Sequence, residues 1–184
     1  MIDEAKVQQA VKLFLEAIGE ETKREGLADT PKRISNMCKE IFGGIGKDAS
    51  EHLRVTFEAE GKGIVMEKEI PFYSVCEHHL VPFFGKAYIA YIPDGRVIGL
   101  SKLARAVETY ARRPQIQEQL TAQVADAIME NLKPKGVMVM MEAEHLCMSM
   151  RGVNKPGTKT MTLVCRGEFE ENQALQASFF QMLR

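Results

Sequence analysis

The sequence has no charge of either sign to spare. Its 24 Lys and Arg face 25 Asp and Glu, for a net charge of −1. That balance argues against a basic coat for nucleic acid or a polybasic membrane face. No apolar run approaches the roughly 20 residues that a bilayer-spanning helix needs. The opening residues Met1-Ile2-Asp3-Glu4-Ala5-Lys6 are charged and lack a signal-peptide pattern. A cytoplasmic chain is expected, without nucleic-acid or membrane partners. No internal repeat and no low-complexity segment is visible. Cysteine is scarce, at four in 184 residues. In a reducing compartment four thiols favour metal binding or catalysis over disulfides.

Two of those thiols lie among histidines. Cys76-Glu77-His78-His79 packs three metal-ligating side chains into four residues, and His145-Leu146-Cys147 adds two more. Zinc takes Cys and His in a tetrahedron, and a catalytic site leaves one vertex open for water. Five candidates for three or four vertices leave histidines over for proton transfer. A closed structural site would spend every ligand on the metal. Cys76 and His79 are three apart, a spacing that lets one turn present both to one ion. His145 and Cys147 are two apart at the end of an expected strand, where alternate residues share a face. Leu146 would then point into the core. Cys38 and Cys165 lie outside both clusters and read as small packing residues.

The periodicity sets the order of elements. Residues 3–18 read as a helix with Val7, Val11, Phe14 and Ile18 on one face. A second helix starts at Asp29 or Thr30, with Pro31 in its first turn and an Ile34, Met37 and Ile41 stripe. Gly43-Gly44 stops it. Strands are expected at Val55 to Glu58, at Ile64 to Val75 with an interruption at Pro71, at Phe84 to Ile92, and at Val97-Ile98. Ser101 opens a helix. Pro114 breaks it and begins another, with Ile116, Leu120, Val124, Ala127 and Ile128 inward. Strands follow at Val137 to Glu144 and Thr158 to Phe169, and the tail from Asn172 reads as helical. Hairpin-linked strands with grouped helices imply an α+β class, an antiparallel sheet covered on one face. The bare face then calls for a partner subunit. The boundaries fall at 1–50 for an N-terminal helical region and 51–184 for the sheet domain.

A basic set accompanies the clusters. Lys102 and Arg105 stand one turn apart at a helix start opened by Ser101, where free N–H groups and the helix dipole favour anions. Arg151 closely follows Cys147, and Arg33 sits in the N-terminal helices. The grouping suits a polyanion such as a triphosphate. Glu118, at the next helix start, reads first as a dipole partner. It could instead accept two N–H bonds from a guanine edge.

Several stretches together resemble GTP cyclohydrolase I. They are Val75 to Leu80, Gly99-Leu100-Ser101-Lys102-Leu103-Ala104-Arg105, Arg113 to Glu118 with Leu120-Thr121, and His145-Leu146-Cys147-Met148 with Arg151-Gly152-Val153. Asp29-Thr30-Pro31-Lys32-Arg33 is similar to that family's N-terminal helix. The resemblance covers nearly the whole chain, in order. It implies the tunnelling fold in a ring, a homodecamer of two pentamers, with active sites between subunits. It implies Zn²⁺ on Cys76, His79 and Cys147, with His78 and His145 as acid/base groups. Ser101, Lys102, Arg105, Gln117, Glu118, Arg151 and Arg33 would bind GTP. Glu118 would take the guanine edge, helped by backbone groups near Gln117. Formate and 7,8-dihydroneopterin triphosphate would be the products.

Overall fold

A computed structural model describes residues 2–184. The chain divides into two compact units, one ending at Gly43 and one running from Gly44 to Arg184. The first unit holds α1 (Glu4–Ala17), α2 (Glu25–Ala28) and α3 (Thr30–Ile41). The Asp3 side chain caps α1 by accepting from the Lys6 N–H. The expected apolar stripes are buried only in part: Val7, Val11, Ile34 and Ile41 are half-buried. Phe14 is 63% exposed, Ile18 57% and Met37 48%. Leu15 on α1 and Pro31, Ser35 and Cys38 on α3 are buried instead. Small side chains let α3 approach α1, where Ser35 donates to the Glu4 carbonyl and Lys39 pairs with the Glu4 carboxylate at 2.6 Å.

The second unit runs α4 (Ser50–Leu53), β1 (Thr56–Glu58), β2 (Val65–Cys76), β3 (Pro82–Ile92), β4 (Arg96–Ile98), α5 (Leu100–Ala111), β5 (Pro114–Gln115) and α6 (Gln117–Leu132). It continues with β6 (Gly136–His145), α7 (Leu146–Ser149), β7 (Lys159–Gly167), α8 (Glu168–Glu171) and α9 (Gln173–Met182). The main sheet has the order β5-β2-β3-β6-β7, and all its pairs are antiparallel except β5 with β2. Mixed α/β architecture is thus observed, with three departures from the sequence pattern.

Pro71 does not interrupt β2. It pairs with Lys86, and β5 reaches only Val75 and Cys76, so no second strand asks Pro71 for a ladder bond. The irregularity falls between Glu67 and Ile70, where Glu69 takes φ +61°. Pro114 opens a two-residue parallel strand rather than a helix, and α6 begins three residues later. Finally, β1 and β4 pair only with each other.

The sheet is covered along one face and at one end of the other. Phe83, Ile89, Tyr91, Val139 and Met141 pack toward the helices, among them Leu120 and Ile128 of α6. The neighbouring residues Ala90, Ile92, Met138 and Met140 point the other way and meet Phe169 and Phe179 from α8 and α9. The one-faced helical layer expected from the pattern is therefore corrected at this end. The C-terminal tail supplies the second cover. Tyr73, Met161 and Leu163 on that same outer face are exposed, Tyr73 at 74%, and the half-buried Phe84 stacks on Tyr73.

Candidate active site

The ends of three strands meet at one place. β2 ends at Cys76, β3 begins at Pro82, and Phe83 lies opposite His145, the last residue of β6. Cys76 is fixed on both sides. Its N–H donates to the Val81 carbonyl at 2.9 Å, and the β5 pairing sets it beside Gln115. Gln115 is itself anchored, donating through Nε2 to the Tyr110 carbonyl and to Gln123 Oε1. Between Cys76 and Val81 the chain turns tightly. Leu80 adopts φ +53°, costly for a γ-branched residue, and its N–H donates to the Cys76 carbonyl. The turn brings His79 Nδ1 to 3.8 Å from Cys76 Sγ.

Cys147 completes the group. One ligand atom each from Cys76, His79 and Cys147 lies within 4.8 Å of the others, a cluster that could hold a metal ion. The route to this convergence differs from the strand-face argument. β6 stops at His145, and Cys147 stands on the helical turn α7. The change of backbone sends Cys147 to the metal group and leaves His145 on the sheet, so the two do not share a strand face. Leu146 is half-buried rather than a core residue. Burial, and then the neighbouring Cys76, push the Cys147 thiol up, while the Arg151 charge pulls it back.

His145 is held separately. Its ring stacks on Phe83 at 4.6 Å with planes 2° apart, and Nε2 lies 2.8 Å from Gln117 Oε1. Burial lowers its pKa, and Glu118 opposes that shift. Glu118 itself is exposed in the first turn of α6. His78 Nδ1 lies 4.0 Å from Cys76 Sγ, beside the three-residue group though not part of it. Its side chain is 63% exposed, with Nε2 3.6 Å from Glu77 Oε1.

The other sequence candidates are placed less closely. Lys102 and Arg105 stand one turn apart at the start of α5, which Gly99 caps, and Ser101 lies exposed beside them. Neither basic residue, nor Arg151, makes an ion pair among the described residues, which leaves their charges available. Among the described residues no hydrogen bond joins Ser101, Lys102 or Arg105 to the Cys-His-Cys group. Arg33 lies in the first unit, 3.8 Å from Asp29.

Two contributors were not visible in the sequence. Phe83 gives the face on which His145 lies, and only the strand register brings them opposite each other. Glu144 accepts from Ser149 Oγ at 2.6 Å and from the Gly157 N–H at 3.2 Å, tying α7 to the loop after it. No motif marks either residue.

A family model described as GTP cyclohydrolase I matches residues 7–184. The chain belongs to the GTP cyclohydrolase I family. The GTP cyclohydrolase 1 of Clostridium perfringens (strain 13 / Type A) is 58% identical over 183 residues, covering 100% of this chain and 99% of that protein. That of Lysinibacillus sphaericus (strain C3-41) is 58% identical over 185 residues, at 98% of each. Among solved structures, the apo form of the archaeosine synthase QueF-Like aligns with a TM-score of 0.50 at 18% identity. The alignment spans 59% of this chain and 97% of that one, a likeness of fold alone. In this GTP cyclohydrolase I family member, the Cys-His-Cys group and His145 are held by different residues.

Proposed function

We propose that the chain converts GTP and water to formate and 7,8-dihydroneopterin triphosphate, with Zn²⁺ held by Cys76, His79 and Cys147. The observation that carries this reading is the Cys-His-Cys group beside a separately anchored histidine, in a chain of this family. The donor set fits zinc. Two ligands at ordinary zinc distances and a tetrahedral angle stand about 3.6–3.8 Å apart. Cys76 Sγ and His79 Nδ1 are 3.8 Å apart already. Three protein ligands leave one vertex open, as a catalytic site requires. Zinc, when bound, supplies a Lewis acid that makes water nucleophilic near neutral pH.

The chain's own residues do the rest. Attack at C8 of guanine puts charge on N7, and His145 gives the proton that N7 gains. His78, exposed beside Glu77, serves the later proton transfers of ring opening and reclosure. Ser101, Lys102, Arg105, Arg151 and Arg33 hold the triphosphate. Glu118 accepts N1–H and N2–H of guanine, and backbone groups near Gln117 take the carbonyl edge.

The same reading assigns the tunnelling fold with an N-terminal helical hairpin, residues 1–50, ahead of a catalytic domain, residues 51–184. It assigns a cytoplasmic homodecamer of two pentamers, with active sites between subunits. The exposed patch around Tyr73, Met161 and Leu163 supports assembly. Neighbouring subunits would then bring the basic residues of one chain to the metal group of another.

The test is formate release from GTP by the purified, zinc-loaded protein, with fluorescence of the oxidised pterin as a second readout. Both signals are expected from GTP alone. Zinc-replete protein that binds GTP and releases no formate would end this assignment.

A further inference from the structure

Gln117 is only 1% exposed, and every polar atom of its side chain is committed within the chain. Its Nε2 lies 3.0 Å from the Met141 carbonyl, 3.0 Å from the Thr160 carbonyl and 3.1 Å from Thr162 Oγ1. Backbone carbonyls only accept, so the side-chain atom facing both of them must be the amide nitrogen. The flipped amide would set Oε1 against two carbonyl oxygens with no proton between them, in a buried place. The amide orientation is therefore dictated by β6 and β7 and not by the histidine.

The surrounding hydroxyls agree. Thr121 Oγ1 donates to the Gln117 carbonyl at 2.7 Å, so at its 2.6 Å contact with Thr162 it accepts. Thr162 then spends its proton on Thr121 and keeps a lone pair for the Gln117 amide. The proton directions form one consistent set.

With the nitrogen assigned, Oε1 is the atom 2.8 Å from His145 Nε2. An amide oxygen carries no proton, so Nε2 must donate. We infer that Gln117 is a positioning residue that locks His145 in the Nε2–H tautomer and leaves Nδ1 as the nitrogen that exchanges protons with substrate. Phe83, stacked flat on the ring at 4.6 Å, removes the remaining freedom to turn over. The wrong tautomer would place two lone pairs against each other at 2.8 Å. The side chain of Gln117 thus acts on the substrate through His145, whereas only its backbone is left for the base.

This assignment deepens the cyclohydrolase reading and rests on it for the role of Nδ1, though not for the tautomer. The test uses ¹⁵N-labelled, zinc-loaded protein and long-range ¹H–¹⁵N spectra of the imidazoles, with His145 assigned by its loss in His145→Ala. The neutral His145 ring is expected to show a protonated, pyrrole-like Nε2 and a pyridine-like Nδ1. Gln117→Asn keeps the amide but is one methylene too short to span carbonyls and ring. It is expected to mix the tautomers and to lower kcat at least 10-fold, with KM for GTP within about twofold.

A pyridine-like Nε2 in the wild type overturns the inference, and that measurement stands even if the variant does not fold. An unchanged ring spectrum in Gln117→Asn, with raised KM and normal kcat, would overturn it too and make Gln117 a substrate contact. Wild type that releases no formate would sink the cyclohydrolase reading instead, and the ring spectrum would still decide the tautomer.

Discussion

Cys147 supplies one of three ligand atoms and one of the two thiols among them. His145 is held by Gln117, and His78, with Nδ1 4.0 Å from Cys76 Sγ, offers an imidazole and not a second thiolate. Cys147→Ser is therefore expected to lose zinc and all formate release, as metal analysis and the formate assay would show. Stoichiometric zinc with normal turnover would remove Cys147 from the site. Base recognition is testable at the same scale. Guanine offers N1–H and N2–H₂ as adjacent donors to the Glu118 carboxylate. Inosine triphosphate keeps only the first. Losing one hydrogen bond to a charged acceptor costs about 1.5–3 kcal/mol, or roughly 10- to 100-fold in kcat/KM. Glu118→Ala should shrink that gap toward unity. An unchanged inosine-to-guanosine ratio would return Glu118 to the role of helix-dipole partner.

Two elements meet so closely that single changes in them are informative. β3 and β6 cross at Gly85, where an added Cβ would collide with the Glu142 carbonyl and the Ala143 backbone. Gly85→Ala must part the two strands, at a cost of roughly 1–3 kcal/mol or more. Thermal unfolding should show it, and an unchanged Tm would mean that the strands can separate without loss. The turn α7 depends on Glu144. The Ser149 hydroxyl, and then the Gly157 N–H, hold the Glu144 carboxyl below its ordinary pKa. Since the folded value lies under the unfolded one, this support is complete above the ordinary Glu range. It is lost as pH falls through the lowered folded value. Amide exchange at Gly157, corrected for intrinsic rate, should therefore accelerate on acidification, and Ser149→Ala should move that acceleration to higher pH. Identical profiles in the two proteins would show that Glu144 does not tie the loop.

In the whole of the second unit, α9 matters more than a surface tail would. Phe179 is fully buried against Met138, Met140 and Phe169 and closes one end of the outer sheet face. Phe179→Ala leaves a cavity there, and such truncations cost about 3–5 kcal/mol. Urea unfolding should report a loss of that size, with zinc content unchanged in the surviving folded fraction. A loss under ~1 kcal/mol would mean that α9 is only loosely held in solution.

Residue types and local order were legible in the sequence. Cys76, His78, His79, His145 and Cys147 stand out as ligand types, with Cys76 and His79 at turn spacing, and the main helices and strands follow from period 3.6 or period 2. Leu120, Val124 and Ile128 were expected inward on α6 and are buried. These features depend on neighbours within a few positions, which is the range over which backbone preference and side-chain chemistry act. What depended on contacts between distant segments was not legible. The two-residue β5 exists only because β2 offers it an edge at Cys76. The buried faces of α1 and α3 were chosen by how closely the two helices could approach. Cys147 reaches the metal group because the strand gives way to α7 after His145, and Gln117 meets His145 because α6 starts above the β6–β7 ladder. Tertiary structure decided these because a hydrogen bond or packing contact is worth its energy only when both partners arrive. The sequence carries each partner but not the path that joins them.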